Sequence, residues 1–261
     1  MSESEPVEPR SISRKTLAVV AKLLASATDP ALVRLSGDEV LDLLSAVNTP
    51  APLPPGGLGD RPQRWQDQLI EQHIKPGSKV LDLGCGNGEL LARLIGHRNV
   101  QGQGVELNSE EIYQCVERGV PVFQADLDSG LAGFPDQSFD YVVLEETLQT
   151  LHRPIDVLRE MLRVGRRGIV SFPNFAYWRV RLDLSLRGRM PITERLPHRW
   201  YDTPNIHLFS LQDFSDWAQN NHVRVVEGHV LCEGLVRPLE AGDNLHAEEV
   251  LVVVESDEPR A

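Results

Sequence analysis

A glycine-rich turn preceded by an aspartate is the segment of this sequence whose residue types and spacing are best suited to chemistry. Asp82 is followed by Gly84, Gly86 and Gly88, and an apolar run precedes the group. Glycine is needed wherever the backbone turns sharply or a ligand approaches it closely. The dinucleotide-binding pattern requires a glycine at the position of Glu89, and the Walker pattern requires a lysine that is missing. The segment therefore predicts a ligand-binding turn of another kind.

Two further carboxylates are expected to face the same ligand. Asp82 would repel a pyrophosphate, but it suits a ligand that carries an ammonium group and a sulfonium, such as S-adenosylmethionine. Glu106 ends the next predicted strand, where it can accept hydrogen bonds from both ribose hydroxyls, and Asp126 ends the following one, where it can face the adenine amino group. We therefore predict S-adenosylmethionine or S-adenosylhomocysteine as the cofactor. The predicted cofactor-binding residues are Asp82, Gly84, Gly86, Gly88, Glu106, Asp126, Leu127 and Glu145.

Each of these residues also has a purely structural interpretation. Asp82 or Asp126 can cap a helix, Glu106 can be a solvated strand end, and the glycines can form a tight turn without a ligand. The ligand interpretation is favoured because all of these features occur together at the spacing that a single crevice requires.

The elements that must position these residues form a regular alternation of short β-rich runs and helical segments. Such alternation is typical of a doubly wound α/β fold, in which helices cover both faces of a mostly parallel sheet. The predicted strands cover residues 79–83, 100–107, 122–125, 139–145, 168–172, 223–231 and 249–254. The predicted helices cover residues 65–74, 89–95, 110–118, 154–164 and 211–221.

The chain divides into an N-terminal helical extension (residues 1–47), a linker (48–62) rich in proline and glycine, and the ligand-binding domain (63–257). Two short amphipathic helices are predicted between residues 13 and 47, and they cannot bury their apolar faces alone. They are therefore expected to dock on the main domain or on another protein. The apolar faces consist of Leu17, Val20, Ala21 and Leu24 in the first helix and of Val40, Leu43, Leu44 and Val47 in the second.

Composition excludes several classes of function. The net charge of -12 disfavours binding to nucleic acid, which depends on lysine and arginine contacts with phosphates. The three cysteines form no Cys-x-x-Cys pair, and the eight histidines show no ligand spacing, so no metal site is expected. No apolar run is long enough for a membrane helix, and the first residues do not resemble a signal peptide. We therefore expect a cytoplasmic protein that does not bind membranes.

Residues 174–207, which we call the lid segment, follow the fifth predicted strand and should lie over the open edge of the sheet. The segment is rich in arginine and aromatic residues, which are enriched in interface hot spots and in carboxylate recognition. Any single arginine is expected to face solvent or to pair with the domain's own carboxylates, but as a group the arginines favour binding. The predicted substrate or partner contacts are Asn174, Trp178, Arg181, Arg189, Trp200, Tyr201 and His207. Candidate general bases are Glu145, Glu146, His152, Tyr201 and His207, and because none stands out, no catalytic residue is assigned.

Six sequence blocks together resemble the methionine biosynthesis protein MetW family. Three are VLDLGCGNGELL (80–91), EETLQ (145–149) and EMLRVGRR (160–167). Three more are distinctive of that family, namely SFPNF (171–175), RGRMP (187–191) and WYDTPNIH (200–207). The resemblance covers residues 63–254 and leaves out the N-terminal extension and the linker.

The resemblance implies the class I methyltransferase fold, with a seven-stranded sheet whose last hairpin makes one antiparallel pairing. It also implies a role in methionine biosynthesis, where proteins of the family accompany a homoserine O-acyltransferase and no methyl acceptor is established. Two functions are therefore expected: a cofactor-binding partner that supports homoserine acylation, or a methyltransferase that acts on a small acidic metabolite held by the lid arginines. A nicotinamide-dependent dehydrogenase would share the sheet, but Asp82 and the missing glycine at Glu89 disfavour it.

Overall fold

The computed structural model describes residues 64–257, except for the side chains at positions 186 and 187. The predicted extension (1–47) and the predicted linker (48–62) lie outside the described residues. The whole of the described chain is built around one mixed sheet.

The sheet contains eight strands, of which the first five in chain order are parallel to one another. Their order across the sheet is β3-β2-β1-β4-β5-β8-β6-β7. The strands are β1 (Lys79–Leu83), β2 (Gln101–Glu106), β3 (Val122–Gln124), β4 (Phe139–Glu145), β5 (Gly165–Pro173), β6 (Val223–Cys232), β7 (Leu235–Pro238) and β8 (Glu249–Ser256). The strand order reverses between β1 and β4, which is where doubly wound sheets bind ligands.

The predicted α/β class is confirmed, whereas the expected seven strands and one antiparallel pairing become eight strands and three such pairings. β8 runs antiparallel to both β5 and β6, and β7 pairs antiparallel with β6. The two residues between β6 and β7, Glu233 and Gly234, have φ angles of +49° and +78°. Two consecutive positive φ angles match the tight turn that favours a two-residue hairpin, so the chain folds back at once and adds the short eighth strand.

Helices cover both faces of the sheet and separate two apolar cores. One core lies under α1 (Trp65–His73), α2 (Glu89–Arg98) and α3 (Ser109–Glu117). The other lies under α4 (Pro154–Val164) and α6 (Leu211–Asn220). Central strands such as β4 and β8 are nearly continuous apolar runs, because a strand covered on both sides has no solvent-facing positions. Two short helices, α5 (Trp178–Leu182) and α7 (Asp243–His246), lie in the connections after β5 and β7.

The predicted elements agree with the structure to within three residues at their ends. The two largest differences are three residues each: α2 ends at Arg98 rather than at Ile95, and β5 starts at Gly165, directly after α4 ends, rather than at Gly168. A Cβ atom at Gly165 would lie 2.5 Å from Val142 Cγ2 and 3.1 Å from the Met161 carbonyl oxygen. Only glycine fits there, and it lets the helix pass into the strand without a loop.

Candidate functional site

The glycine turn between β1 and α2 adopts a backbone that only glycine favours at three positions. Gly84, Gly86 and Gly88 have φ angles of +75°, +52° and +75°. A Cβ atom would lie 2.7 Å from Thr147 Oγ1 at the first position and 2.8 Å from Cys115 Sγ at the third. At Gly86 the nearest such atom is 4.0 Å away, so the backbone there is open to a ligand.

Glu106, at the end of β2, is held against this turn by backbone donors. Its Oε2 accepts from the Gly86 N–H at 2.9 Å, and its Oε1 accepts from the N–H groups of Leu107 and Asn108 at 2.8 and 2.9 Å. A carboxylate has about four acceptor positions, so about one is left for a ligand hydroxyl. The carboxylate is therefore fixed in place beside the open side of Gly86.

Two buried carboxylates lie at the ends of β1 and β4. Asp82 is 3% exposed, and burial raises its pKa to about 7. The side chain of Glu145 is 9% exposed, and burial raises its pKa to about 8. Glu145 Oε1 has no hydrogen-bond partner among residues 64–257. Because a buried carboxylate without a donor is costly, this place suits a ligand with a positive charge or N–H groups.

Arg64, which is not among the site residues predicted from the sequence, supplies the nearest positive charge. Its Nη1 lies 3.6 Å from Glu145 Oε2 and 3.9 Å from Glu146 Oε2. It directly precedes α1, which carries it to the carboxyl edge of the sheet. Its charge also opposes the rise in the pKa of Asp82 that burial causes. The helix predicted just before β1 was the one sequence signal that could have pointed to this residue.

Glu249, at the start of β8, adds another buried carboxylate to the same edge. Its Oε2 accepts from Trp65 Nε1 at 2.6 Å and from Gln66 Nε2 at 3.3 Å, and Gln66 Nε2 also donates to Glu146 Oε1 at 3.1 Å. Burial, together with the neighbouring Glu146, raises the pKa of Glu249. We call Asp82, Glu145, Glu146 and Glu249 the acidic edge.

Asp126 and Leu127 have local roles in the structure. Asp126 Oδ1 accepts from the Asp128 N–H at 2.9 Å, which caps the turn of 3-10 helix at Leu127–Ser129. The Leu127 side chain is buried in the core beneath α4 and α6. Asp126 itself is exposed beyond the end of β3, at the same edge of the sheet as Glu106.

Three of the predicted contact residues in the lid segment are buried or hydrogen-bonded within the domain. Asn174 is buried, and its amide donates to the carbonyl oxygens of Asn244 and Ala247 at 3.1 and 2.9 Å. Arg181 donates to the carbonyl oxygens of Ala176 and Asn244. Trp178 is buried as well. These side chains hold the lid segment onto the domain.

The other predicted lid contacts face solvent. Trp200 is 75% exposed and Tyr201 is 62% exposed, with their rings 5.6 Å apart. Arg189 and His207 are exposed too. Single exposed aromatics are common, but a large adjacent pair is typical of a binding surface.

The candidate general bases do not gather in one place. Glu145 and Glu146 lie on the acidic edge, whereas His152 and His207 line a separate groove between α4 and α6. Tyr201 lies on the outside of the lid segment, where Arg199 Nη1 donates to its hydroxyl at 3.0 Å. Within the described residues there is no group of three potential metal ligands. No helix between residues 64 and 257 is long and apolar enough to cross a membrane.

Comparison with known proteins gives one family and one fold. A family model described as "Methionine biosynthesis protein MetW" matches residues 64–254. The chain is also similar to the bifunctional methionine biosynthesis protein MetXA/MetW of Rhodopirellula baltica, with 40% identity over 159 residues. That alignment covers 58% of this chain and 26% of the relative, so the chain spans about a quarter of the length of that protein.

Solved structures with a similar fold include S-adenosylmethionine-dependent methyltransferases. One from Mesorhizobium loti superposes with a TM-score of 0.55 at 16% identity, covering 73% of this chain and 96% of its own. Another, from Thermotoga maritima and described as a possible histamine N-methyltransferase, has a TM-score of 0.54 at 15% identity and covers 74% and 87%. At this identity the likeness establishes the fold alone.

Proposed function

Because this chain belongs to the MetW family of methionine biosynthesis proteins, we propose that it binds S-adenosylmethionine and supports a homoserine O-acyltransferase. The main support for cofactor binding is the pair of buried carboxylates, Asp82 and Glu145, which lie beside an open glycine turn. The relative from Rhodopirellula baltica supports the proposed interaction with an acyltransferase.

The chemistry of the acidic edge fits this cofactor. A sulfonium and an ammonium group are both cationic, and a cation beside Asp82 and Glu145 would favour their ionised forms and offset the cost of burying them. Arg64 lies where it can meet the carboxylate of the methionine moiety. Glu106 would accept from the ribose, and the open face of Gly86 would admit the adenosine. When bound, the cofactor supplies a methyl group for transfer or a signal of how much of it is present.

The proposed interaction with an acyltransferase is based on the bifunctional relative. Its name joins MetXA and MetW in one bifunctional methionine biosynthesis protein, and the resemblance to the family implies a homoserine O-acyltransferase as the partner. Fusion keeps two proteins at a high effective concentration, and a separate chain achieves the same result by binding. Trp200, Tyr201 and Arg189 are exposed and are of the residue types that dominate binding energy at interfaces. We therefore place the partner contact on the lid segment.

The test is the rate of homoserine acylation by the acyltransferase of the same organism, with and without an equal concentration of this protein. We expect stimulation, and we expect it to be lost when Trp200 and Tyr201 are both replaced by alanine. Leu235→Ala is the matched control, because Leu235 is an exposed apolar residue on β7 at the far edge of the sheet. An unchanged rate, with S-adenosylmethionine binding intact, would exclude the partner role.

The second function, methyl transfer to a small acidic metabolite, has less support. Arg181 bonds to backbone carbonyls, and Arg195 Nε lies 3.8 Å from Glu249 Oε2. These arginines are therefore engaged, and the acidic edge would repel an anionic acceptor. Formation of S-adenosylhomocysteine from S-adenosylmethionine in the presence of an acidic metabolite would support this second function.

A further inference from the structure

A groove opens between α4 and α6, on the opposite face of the sheet from α1. Its volume is about 490 Å³, which is the size of an ordinary ligand pocket. The lining is largely apolar and is formed by Leu148, His152, Arg153, Pro154, Ile155, Asp156, Leu158, His207, Phe209, Asp213, Phe214 and Trp217. Leu148, Leu158 and Phe214 are buried at its floor, whereas Ile155 on its rim is 38% exposed. A site of this shape and polarity fits a row of apolar side chains.

Trp217 gives the groove an unsatisfied donor. Its ring packs against Phe214 with centroids 5.5 Å apart, and its Nε1 is buried without an acceptor among the described residues. Burying an N–H group without a hydrogen bond costs about 1–3 kcal/mol. An occupant that brings an oxygen atom to this place would remove that cost.

The chain itself contains a segment of the required character outside the described residues. Residues 36–47 carry Val40, Leu43, Leu44 and Val47 at the spacing of one helix face, and Asp42 and Ser45 are the polar residues between them. Anchors at positions i, i+3, i+4 and i+7 are the way in which amphipathic helices bind apolar grooves. A helix this short is marginal in water unless it packs against something, so it needs a site.

Chain length also matches. The described chain starts at Arg64, beside Glu145, and Leu148 in the groove follows Glu145 by three residues. The intervening residues 48–63 can span up to about 50 Å when extended. The length of the intervening chain therefore allows residues 36–47 to reach the groove.

We propose that residues 36–47 form an amphipathic helix that docks, within the same chain, in the groove between α4 and α6. The linker then runs from the groove to Arg64 and so passes the acidic edge of the sheet. This inference does not depend on the proposed function, because it rests on the groove and on the sequence of the extension.

The test is photo-crosslinking in the full chain. A photoreactive benzoylphenylalanine replaces His152, which is exposed on the rim of the groove. Irradiation is expected to give a product of monomer mass in which position 152 is joined to the peptide that contains residues 36–47. The crosslink should fall at least tenfold when Leu43 and Leu44 are both replaced by aspartate. Ser45→Asp is the control, since it adds one aspartate on the opposite face of the helix and should leave the crosslink unchanged.

Four outcomes would overturn the proposal. These are a product of dimer mass, a crosslink only to residues 13–30, a crosslink to residues 36–47 that the double aspartate variant leaves intact, and a crosslink that appears only when an acyltransferase is added. Circular dichroism of each variant shows that the domain is folded, so that loss of the crosslink reports on docking.

Discussion

The backbone N–H of Gly86 donates to Glu106 Oε2 at 2.9 Å, so the glycine turn after β1 and the end of β2 form a single unit. The two residues lie on neighbouring parallel strands, which end at the same edge of the sheet. The turn thus owes its shape both to the positive φ angles of its glycines and to this contact. Changes at Glu106 should therefore act on the ligand and on the turn that receives it.

Replacing Glu106 by glutamine should weaken S-adenosylmethionine binding by roughly 10- to 100-fold, the usual effect of losing a charge-assisted hydrogen bond. The amide has one oxygen in place of two and cannot serve both Gly86 and the pair Leu107 and Asn108. Isothermal titration calorimetry measures the change. Glu117→Gln, at an exposed site at the end of α3, should bind as the unchanged protein does. Equal affinity of the two variants for S-adenosylmethionine would show that Glu106 does not contribute to binding.

Replacing Arg64 by alanine should weaken S-adenosylmethionine binding by about tenfold or more, because the carboxylate of the ligand would lose its positive partner. Methylthioadenosine, which lacks the amino-acid moiety, should bind the variant and the unchanged protein equally. Competition between the two ligands gives both affinities in one assay. A parallel loss for methylthioadenosine would mean that Arg64 maintains the fold of the site and does not contact the ligand.

The ligand-free protein should lose stability as the pH rises from about 5 to 8. Burial raises the pKa of Asp82 to about 7 and that of Glu145 to about 8, above the ordinary values of carboxyl groups. The folded state then holds protons that the unfolded state has released, and this contribution to stability is lost as the pH rises through the raised pKa values. Thermal unfolding at several pH values measures the slope.

Glu145→Gln should reduce that slope, because an amide cannot ionise, and the part that arises from Asp82 should remain. At pH 8 the variant should unfold at a higher temperature than the unchanged protein, since it buries no charge at this position. Glu117→Gln, at a solvent-exposed site, should keep the original slope. If Glu145→Gln retained the full slope, Glu145 would be ionised throughout in the folded protein.

Asn174→Ala should destabilise the fold by about 2–4 kcal/mol without changing the affinity of the folded protein for S-adenosylmethionine. Its amide donates to Asn244 and Ala247, and its Oδ1 accepts from Ala176 and Leu211, so truncation leaves several buried groups unpaired. Urea unfolding measures the first effect and calorimetry the second. Asn220→Ala, at the exposed end of α6, serves as the control. A selective loss of affinity at unchanged stability would give Asn174 a ligand-contacting role instead.

The sequence by itself determined the fold class and the position of the glycine turn. Strand and helix patterns are local, since alternation and helical periodicity follow from which face of each element is buried. The requirement for glycine at Gly84, Gly86 and Gly88 is local as well, because it depends on the backbone angles of single residues. The family could also be recognised, because its distinctive blocks are contiguous in the chain.

Only the tertiary structure decided which charged groups share one site. Trp65 and Glu249 form a hydrogen bond although 184 residues separate them, and no local pattern indicates that contact. Arginine and asparagine side chains in the lid segment have the types of a binding surface, yet Arg181 and Asn174 are used to hold the segment in place. The raised pKa values of Asp82 and Glu145 arise from burial beneath elements that are distant in sequence. Desolvation depends on everything packed around a group, so it is determined only when the whole chain has folded.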